Sequence, residues 1–165
     1  MTETNNLHCV YLGLGTNLGD KQKNIQHAVN YINEQIGEVI SLSSFYTTKP
    51  VGFTSDNMFL NGACCVITSH TPFEVLHISQ EIEKIMGRTK KSVNNKHSDR
   101  IIDIDLLMYD NLIINTKELT LPHPYLHQRD FVLFPLAEIA TDVKHPLANK
   151  TIGQLKDKLK EKSSD

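Results

Sequence analysis

Cysteine is scarce in this sequence. There are three in 165 residues, Cys64 and Cys65 are adjacent, and no CxxC spacing occurs. An odd count without that spacing argues against a disulfide framework and for a reducing compartment, where thiols pack as small apolar groups. No stretch is long and apolar enough to span a bilayer. The opening MTETNNLHCV has neither a basic n-region nor an apolar run, so no signal peptide is expected. Charge of one sign is also lacking. The net charge is -2, which gives no global pull toward nucleic acid or an anionic membrane. A GxSxG nucleophile elbow, a Walker phosphate loop and an aromatic RNA-binding run of the RNP1 type are all missing. Internal repeats, low-complexity tracts and linkers are missing too. One cytoplasmic domain over residues 1–165 is expected, with about eight N-terminal and about six C-terminal residues flexible.

What is present is ordinary globular material, 39% hydrophobic and 22% charged. Val10–Leu14 reads as a strand ended by Gly13 and Gly15. Ile25, Ala28, Val29, Ile32 and Ile36 recur at helical spacing, and Gly37 is expected to cap that helix. Val39–Thr47 reads as a second strand, Thr48–Asn57 as a loop and Phe59–Thr68 as a third strand. Thr71-Pro72-Phe73-Glu74 has the residues of a capping box with Pro at the first helical position. The helix it opens carries Val75, Ile78, Ile82 and Ile85 and ends at Gly87. A strand over Ile101–Tyr109, a short one at Leu112–Ile114, and helices over Phe131–Ala140 and Thr151–Lys160 complete the pattern. The order β-α-β-β-α-β predicts an α+β fold with a mainly antiparallel sheet flanked by helices.

The sharpest chemical signal is Asp103-Ile104-Asp105. Residues two apart on a strand share a face. The two carboxylates then lie together, opposite Ile102, Ile104, Leu106 and Met108. Like charges so placed repel, and a hard divalent cation that takes oxygen ligands would offset the repulsion. A solvated outer face, or pairing with Lys or Arg, is the alternative. Directly upstream, residues 88–100 hold five Lys or Arg and one acid. Carboxylates for a metal beside cations for phosphates is the layout of polyphosphate chemistry. That loop reads either as a mobile anion-binding lid or as solvated surface. The Gly13–Gly19 run has the wrong spacing for a dinucleotide fingerprint and reads as a tight turn into the first helix. His123 and His127 are four apart, but Pro122 and Pro124 disfavour a helix there, so zinc is not expected.

Together the blocks resemble the 6-hydroxymethyl-7,8-dihydropterin pyrophosphokinase family, also called 2-amino-4-hydroxy-6-hydroxymethyldihydropteridine diphosphokinase. Leu14–Asp20, Ser44–Thr48 with Pro50 and Gly52, Phe59–Asn61, Glu83 with Gly87-Arg88, Asp99–Leu107, Leu121–His123 and Arg129–Leu136 carry the resemblance. It implies a ferredoxin-like α+β fold. It also implies transfer of diphosphate from ATP to the hydroxymethyl group of the dihydropterin, releasing AMP, in folate biosynthesis. Asp103 and Asp105 would bind two Mg2+ ions. Arg88 and Arg100 would hold phosphates and count with the aspartates as catalytic, while Lys90, Glu83, His123 and Arg129 would lie at the ATP side. Phe59 and Phe131 would stack on the pterin, with Thr48, Val51, Asn61 and Asp103 around it. Its partners would be these small molecules, with neither nucleic acid nor membrane. A monomer is expected, with a dimer as the alternative. The chain departs from the family pattern at Lys49, at Lys96–Asp99 and at Pro124. Other readings are an RNA- or ligand-binding module on a ferredoxin-like sheet, and a kinase that releases ADP.

Overall fold

A computed structural model describes residues 6–49, 58–87 and 101–163. The expected lid at residues 88–100 lies outside these residues, as do Val51 and the extreme termini.

Strand β1 (His8–Thr16) leads to helix α1 (Lys21–Gln35), then to strands β2 (Glu38–Leu42), β3 (Tyr46–Thr48) and β4 (Phe59–Thr68). Helix α2 (Pro72–Ile85) and strand β5 (Asp103–Tyr109) follow. A small ribbon of β6 (Ile114–Asn115) and β7 (Thr120–Leu121) precedes helices α3 (Asp130–Ala140) and α4 (Ile152–Ser163). The main sheet runs β2-β4-β1-β5, with β3 continuing beside β4 where β2 stops. Every pairing is antiparallel. This is the expected ferredoxin-like α+β arrangement.

Two of the helices open on side-chain caps. Asp20 accepts the Lys23 N–H at 3.2 Å to cap α1. The Thr71–Glu74 capping box opens α2 with both reciprocal bonds made. The two sheet faces bury different sets. Val10, Leu12, Leu14, Cys64, Val66, Ile104 and Leu106 pack against Ile25, Ala28 and Ile32 of α1 and Val75 and Ile82 of α2. Tyr11, Ala63, Cys65 and Leu107 pack against Leu133, Leu136 and Ala137 of α3 and Ile152 and Leu155 of α4. Each fully buried Leu or Ile contributes roughly 1.5–3 kcal/mol, so both faces matter to stability.

Three local expectations are corrected and one is sharpened. Strand β1 does not end at Gly13 or Gly15 but runs to Thr16, and the turn falls at Gly19, whose φ is +69°. The span read as one strand over Val39–Thr47 is two, because an irregular stretch at Ser43–Phe45 interrupts it and the chain pairs again farther along β4. Gly37 closes α1 as expected, its N–H returning to the Ile32 carbonyl at 3.1 Å, and a Cβ there would lie 2.1 Å from the Ile67 carbonyl oxygen, so the close approach of backbone also demands glycine. Finally, Tyr11 pairs with Met108 but Leu12 with Leu106, so a β-bulge at Leu107 changes the alternation. Met108 therefore joins the α3/α4 side, and Tyr109 the α1/α2 side.

Cys9 and Cys65 meet on the α3/α4 face with sulfurs 3.2 Å apart. The Cys65 hydrogen bond, against opposing burial, lowers the Cys9 pKa to about 6. Burial alone pushes Cys64 up to about 12. The thiolate is the reactive form. At pH 7.5 a thiol reagent is therefore expected to modify Cys9 first and leave Cys64 unmodified in the native protein. The rate should rise through about pH 6 and level off by neutrality. Peptide mapping after timed labelling checks this, and Cys64 labelled as fast as Cys9 would refute it.

Candidate active site

Strand alternation places Gly13 and Gly15 of β1, Phe59 and Asn61 of β4, and Asp103 and Asp105 of β5 at one end of the α3/α4 face. The register sets Gly13 beside Asp105 and Gly15 beside Asp103. Both carboxylates thus stand beside the two positions of β1 that carry no side chain. The two glycines form a floor that larger residues would fill. A Cβ on Gly15 would lie 3.2 Å from Asn61 Oδ1, and one on Gly13 would lie 3.4 Å from Leu107 Cδ1.

Over this floor opens a cleft of about 700 Å³ of empty space, continuous with solvent. Its walls include Thr48, Phe59, Asn61, Asp103, Asp105, Arg129 and Phe131. These candidates are spread over more than 80 positions of sequence, and the fold brings them together. Lys49 and Val132 also line the cleft, and sequence reasoning missed their place in it. The Lys49 departure from the family pattern was the available signal for the first; for Val132 the signal was its position next to Phe131.

Asn61 is fixed by its neighbours. Its Nδ2 donates to Thr48 Oγ1 at 2.8 Å and to the Tyr46 carbonyl at 3.4 Å. A carbonyl can only accept, so the nitrogen must face it and Oδ1 is left as the acceptor. Arg129, just ahead of α3, lies with its guanidinium carbon 4.5 Å from the Tyr125 ring centre and 5.7 Å from that of Phe131. Both contacts are within cation–π range.

His123 and Glu83 support the cleft without lining it. The His123 N–H donates to the Leu107 carbonyl at 2.9 Å, and its Nδ1 accepts the Tyr125 N–H at 3.2 Å. With Nδ1 accepting, the neutral ring carries its proton on Nε2. Burial lowers the His123 pKa, the Arg129 charge lowers it further, and Asp103 opposes both. Glu83, buried on α2, accepts the Ile104 N–H at 2.8 Å. It therefore grips β5 from its outer edge, between the two aspartates. Arg88, Lys90 and Arg100 lie outside the described residues.

The donor set suits a hard cation. Two carboxylates on one face leave coordination positions for substrate oxygens and water, as magnesium sites commonly do. Among the described residues no cluster of three or more His, Cys, Asp or Glu forms an all-protein cage. No helix among them is long and apolar enough to cross a membrane.

Fold and cleft together define an α+β protein of the ferredoxin-like class with an acidic and aromatic cleft on its sheet. Residues 11–141 match the model of the family described as 7,8-dihydro-6-hydroxymethylpterin-pyrophosphokinase, and the chain belongs to that family. It is 42% identical over 132 residues to the Porphyromonas gingivalis 2-amino-4-hydroxy-6-hydroxymethyldihydropteridine pyrophosphokinase, covering 79% of this chain and 90% of that one. It is 40% identical over 147 residues to the Aquifex aeolicus protein of the same name, covering 89% of each. A crystal structure of a Plasmodium falciparum HPPK-DHPS triple mutant superposes with a TM-score of 0.78 at 18% identity. That match covers 99% of this chain but only 46% of the other, so this chain spans under half the length of that relative.

Proposed function

We infer that the protein transfers diphosphate from ATP to 6-hydroxymethyl-7,8-dihydropterin, the pyrophosphokinase step of folate biosynthesis. The observation that carries this reading is the pair Asp103 and Asp105 standing over a glycine floor in a cleft walled by Phe59, Asn61 and Phe131. The β5 side of the cleft offers carboxylate oxygens and the β4 side an aromatic ring and a fixed amide acceptor, with Phe131 of α3 as a second ring in the lining.

In this reading the hydroxymethyl oxygen attacks the β-phosphorus of ATP. The bond from that phosphorus to the oxygen bridging toward the α-phosphate breaks. AMP leaves with that oxygen, and the hydroxyl proton passes to solvent. Phe59 and Phe131 hold the pterin plane by stacking. Asn61 Oδ1 accepts an N–H from its amino or amide edge, and Thr48 borders the same edge. Asp103 and Asp105 would hold two magnesium ions, which would supply neutralisation of phosphate charge at the transferring group. Arg129 adds positive charge beside them, and His123 holds the segment leading to it. Arg88, Lys90 and Arg100 are assigned to the phosphates from the family resemblance. The chemistry asks mainly for positioning and electrostatic stabilisation, as phosphoryl transfer usually does.

Product analysis tests the reading. Incubation with ATP, magnesium and the hydroxymethyl-dihydropterin should give AMP and pterin diphosphate in equal amounts, with no AMP when the pterin is omitted. Release of ADP instead would identify an ordinary kinase, and pterin-independent turnover would overturn the substrate assignment.

A further inference from the structure

Three donors from one short segment converge on a single carboxylate of α3. The Ser44 N–H donates to Glu138 Oε1 at 2.9 Å, and the Ser44 hydroxyl to Oε2 at 2.7 Å. The Tyr46 hydroxyl also donates to Oε2. Glu138 lies seven residues after Phe131 on α3, two turns along the same side of the helix. Tyr46 is the first residue of β3, the strand that ends at Thr48, and Ser44 lies two residues before it. The carboxylate thus ties the helix bearing Phe131 to the strand bearing Thr48, from outside the cleft.

The tie reaches the cleft through the backbone. Tyr46 pairs with Asn61 in the sheet, and its carbonyl accepts from Asn61 Nδ2. Thr48 Oγ1 takes the other Nδ2 hydrogen. Those two bonds decide which way the Asn61 amide faces. If β3 drifts from β4, the amide can rotate and present a donor where an acceptor belongs. We propose that Glu138 is a positioning residue for pterin recognition: by gathering Ser44 and Tyr46 onto α3 it fixes β3, and through β3 the orientation of Asn61.

The charge state is consistent with that role. Burial raises the Glu138 pKa, but hydrogen bonds from Ser44 and Tyr46 outweigh it and hold the group below its usual range. Tyr46 is pushed up, first by its bond to Glu138. Anionic acceptors make stronger hydrogen bonds than neutral ones, and preorganisation of a site depends on such outer support.

The inference rests on the pterin assignment above, and its test separates the two. Steady-state kinetics and melting temperature are measured for the wild type, Glu138→Ala, Glu138→Gln and Tyr46→Phe. Glu138→Ala is expected to raise KM for the hydroxymethyl-dihydropterin about tenfold, with kcat and KM for ATP within about twofold of wild type. Glu138→Gln keeps one acceptor oxygen and should recover part of the loss. Tyr46→Phe removes one hydroxyl alone and should give an intermediate rise even if Glu138→Ala does not fold. If the variants melt lower and lose kcat while KM for the pterin stays at the wild-type value, Glu138 is merely structural and the proposal falls. If the wild type itself makes no pterin-dependent AMP, the site reading fails first.

Discussion

Asp105→Asn is expected to lower AMP formation by about three orders of magnitude or more while leaving the metal-free fold intact. Metal-held charge neutralisation is worth several kcal/mol in the transition state, and each 1.4 kcal/mol is about tenfold in rate. Stability should move the other way. Asp103 and Asp105 stand two apart on one face of β5, so removing one like charge relieves repulsion. Melting in EDTA should therefore be unchanged or slightly higher in the mutant. Adding magnesium with a nonhydrolysable ATP analogue should raise the wild-type melting temperature and raise the mutant's much less. A mutant that melts clearly lower in EDTA, responds normally to magnesium–nucleotide and forms AMP at the wild-type rate would show that the pair serves the fold alone.

Phe131→Ala should weaken pterin binding by roughly 1–3 kcal/mol, about 5- to 150-fold, and change ATP affinity by less than about twofold. Phe131, on α3, lines the same cleft as Phe59 and Asn61 of β4, and its ring would cover one face of a flat heterocycle bound there. The mutation also removes one of two rings against Arg129, but Tyr125 remains the nearer at 4.5 Å. The guanidinium therefore stays supported, which is why the nucleotide side should be spared. Calorimetric titration with each ligand separates the effects, and equal losses for both would point to a disturbed α3 instead.

Some of this was legible because its signal is local. The alternation in Ile101–Leu107 placed both aspartates on one face from the sequence, since a strand's period of two needs no partner to be read. The Thr71–Glu74 box opened α2 where expected, because all its atoms lie within four residues. Other features depend on partners far along the chain. Nothing in β5 alone marks the bulge at Leu107; it exists because of how β1 pairs with it. Gly13 and Gly15 look like turn residues by composition. They are strand residues because the cleft needs the space their side chains would fill. Glu138 carried no signal at all, as its partner Ser44 is 94 positions away. The family resemblance named Phe59 and Phe131, which composition alone would have assigned to ordinary core.

The bulge in β5 divides that strand into two independently tunable halves. Ahead of it, Asp103 and Asp105 answer to the cleft; after it, Met108 and Tyr109 answer to the two cores. In a regular strand, gaining or losing a residue turns every later side chain to the opposite face. Here one such shift is already accommodated at Leu107, so packing downstream can change length without redirecting the carboxylates. A deletion upstream, between Asp103 and Leu106, has no such buffer and would turn Asp103 toward α2. Length variation in this strand is therefore tolerable at its core end and ruinous at its chemical end.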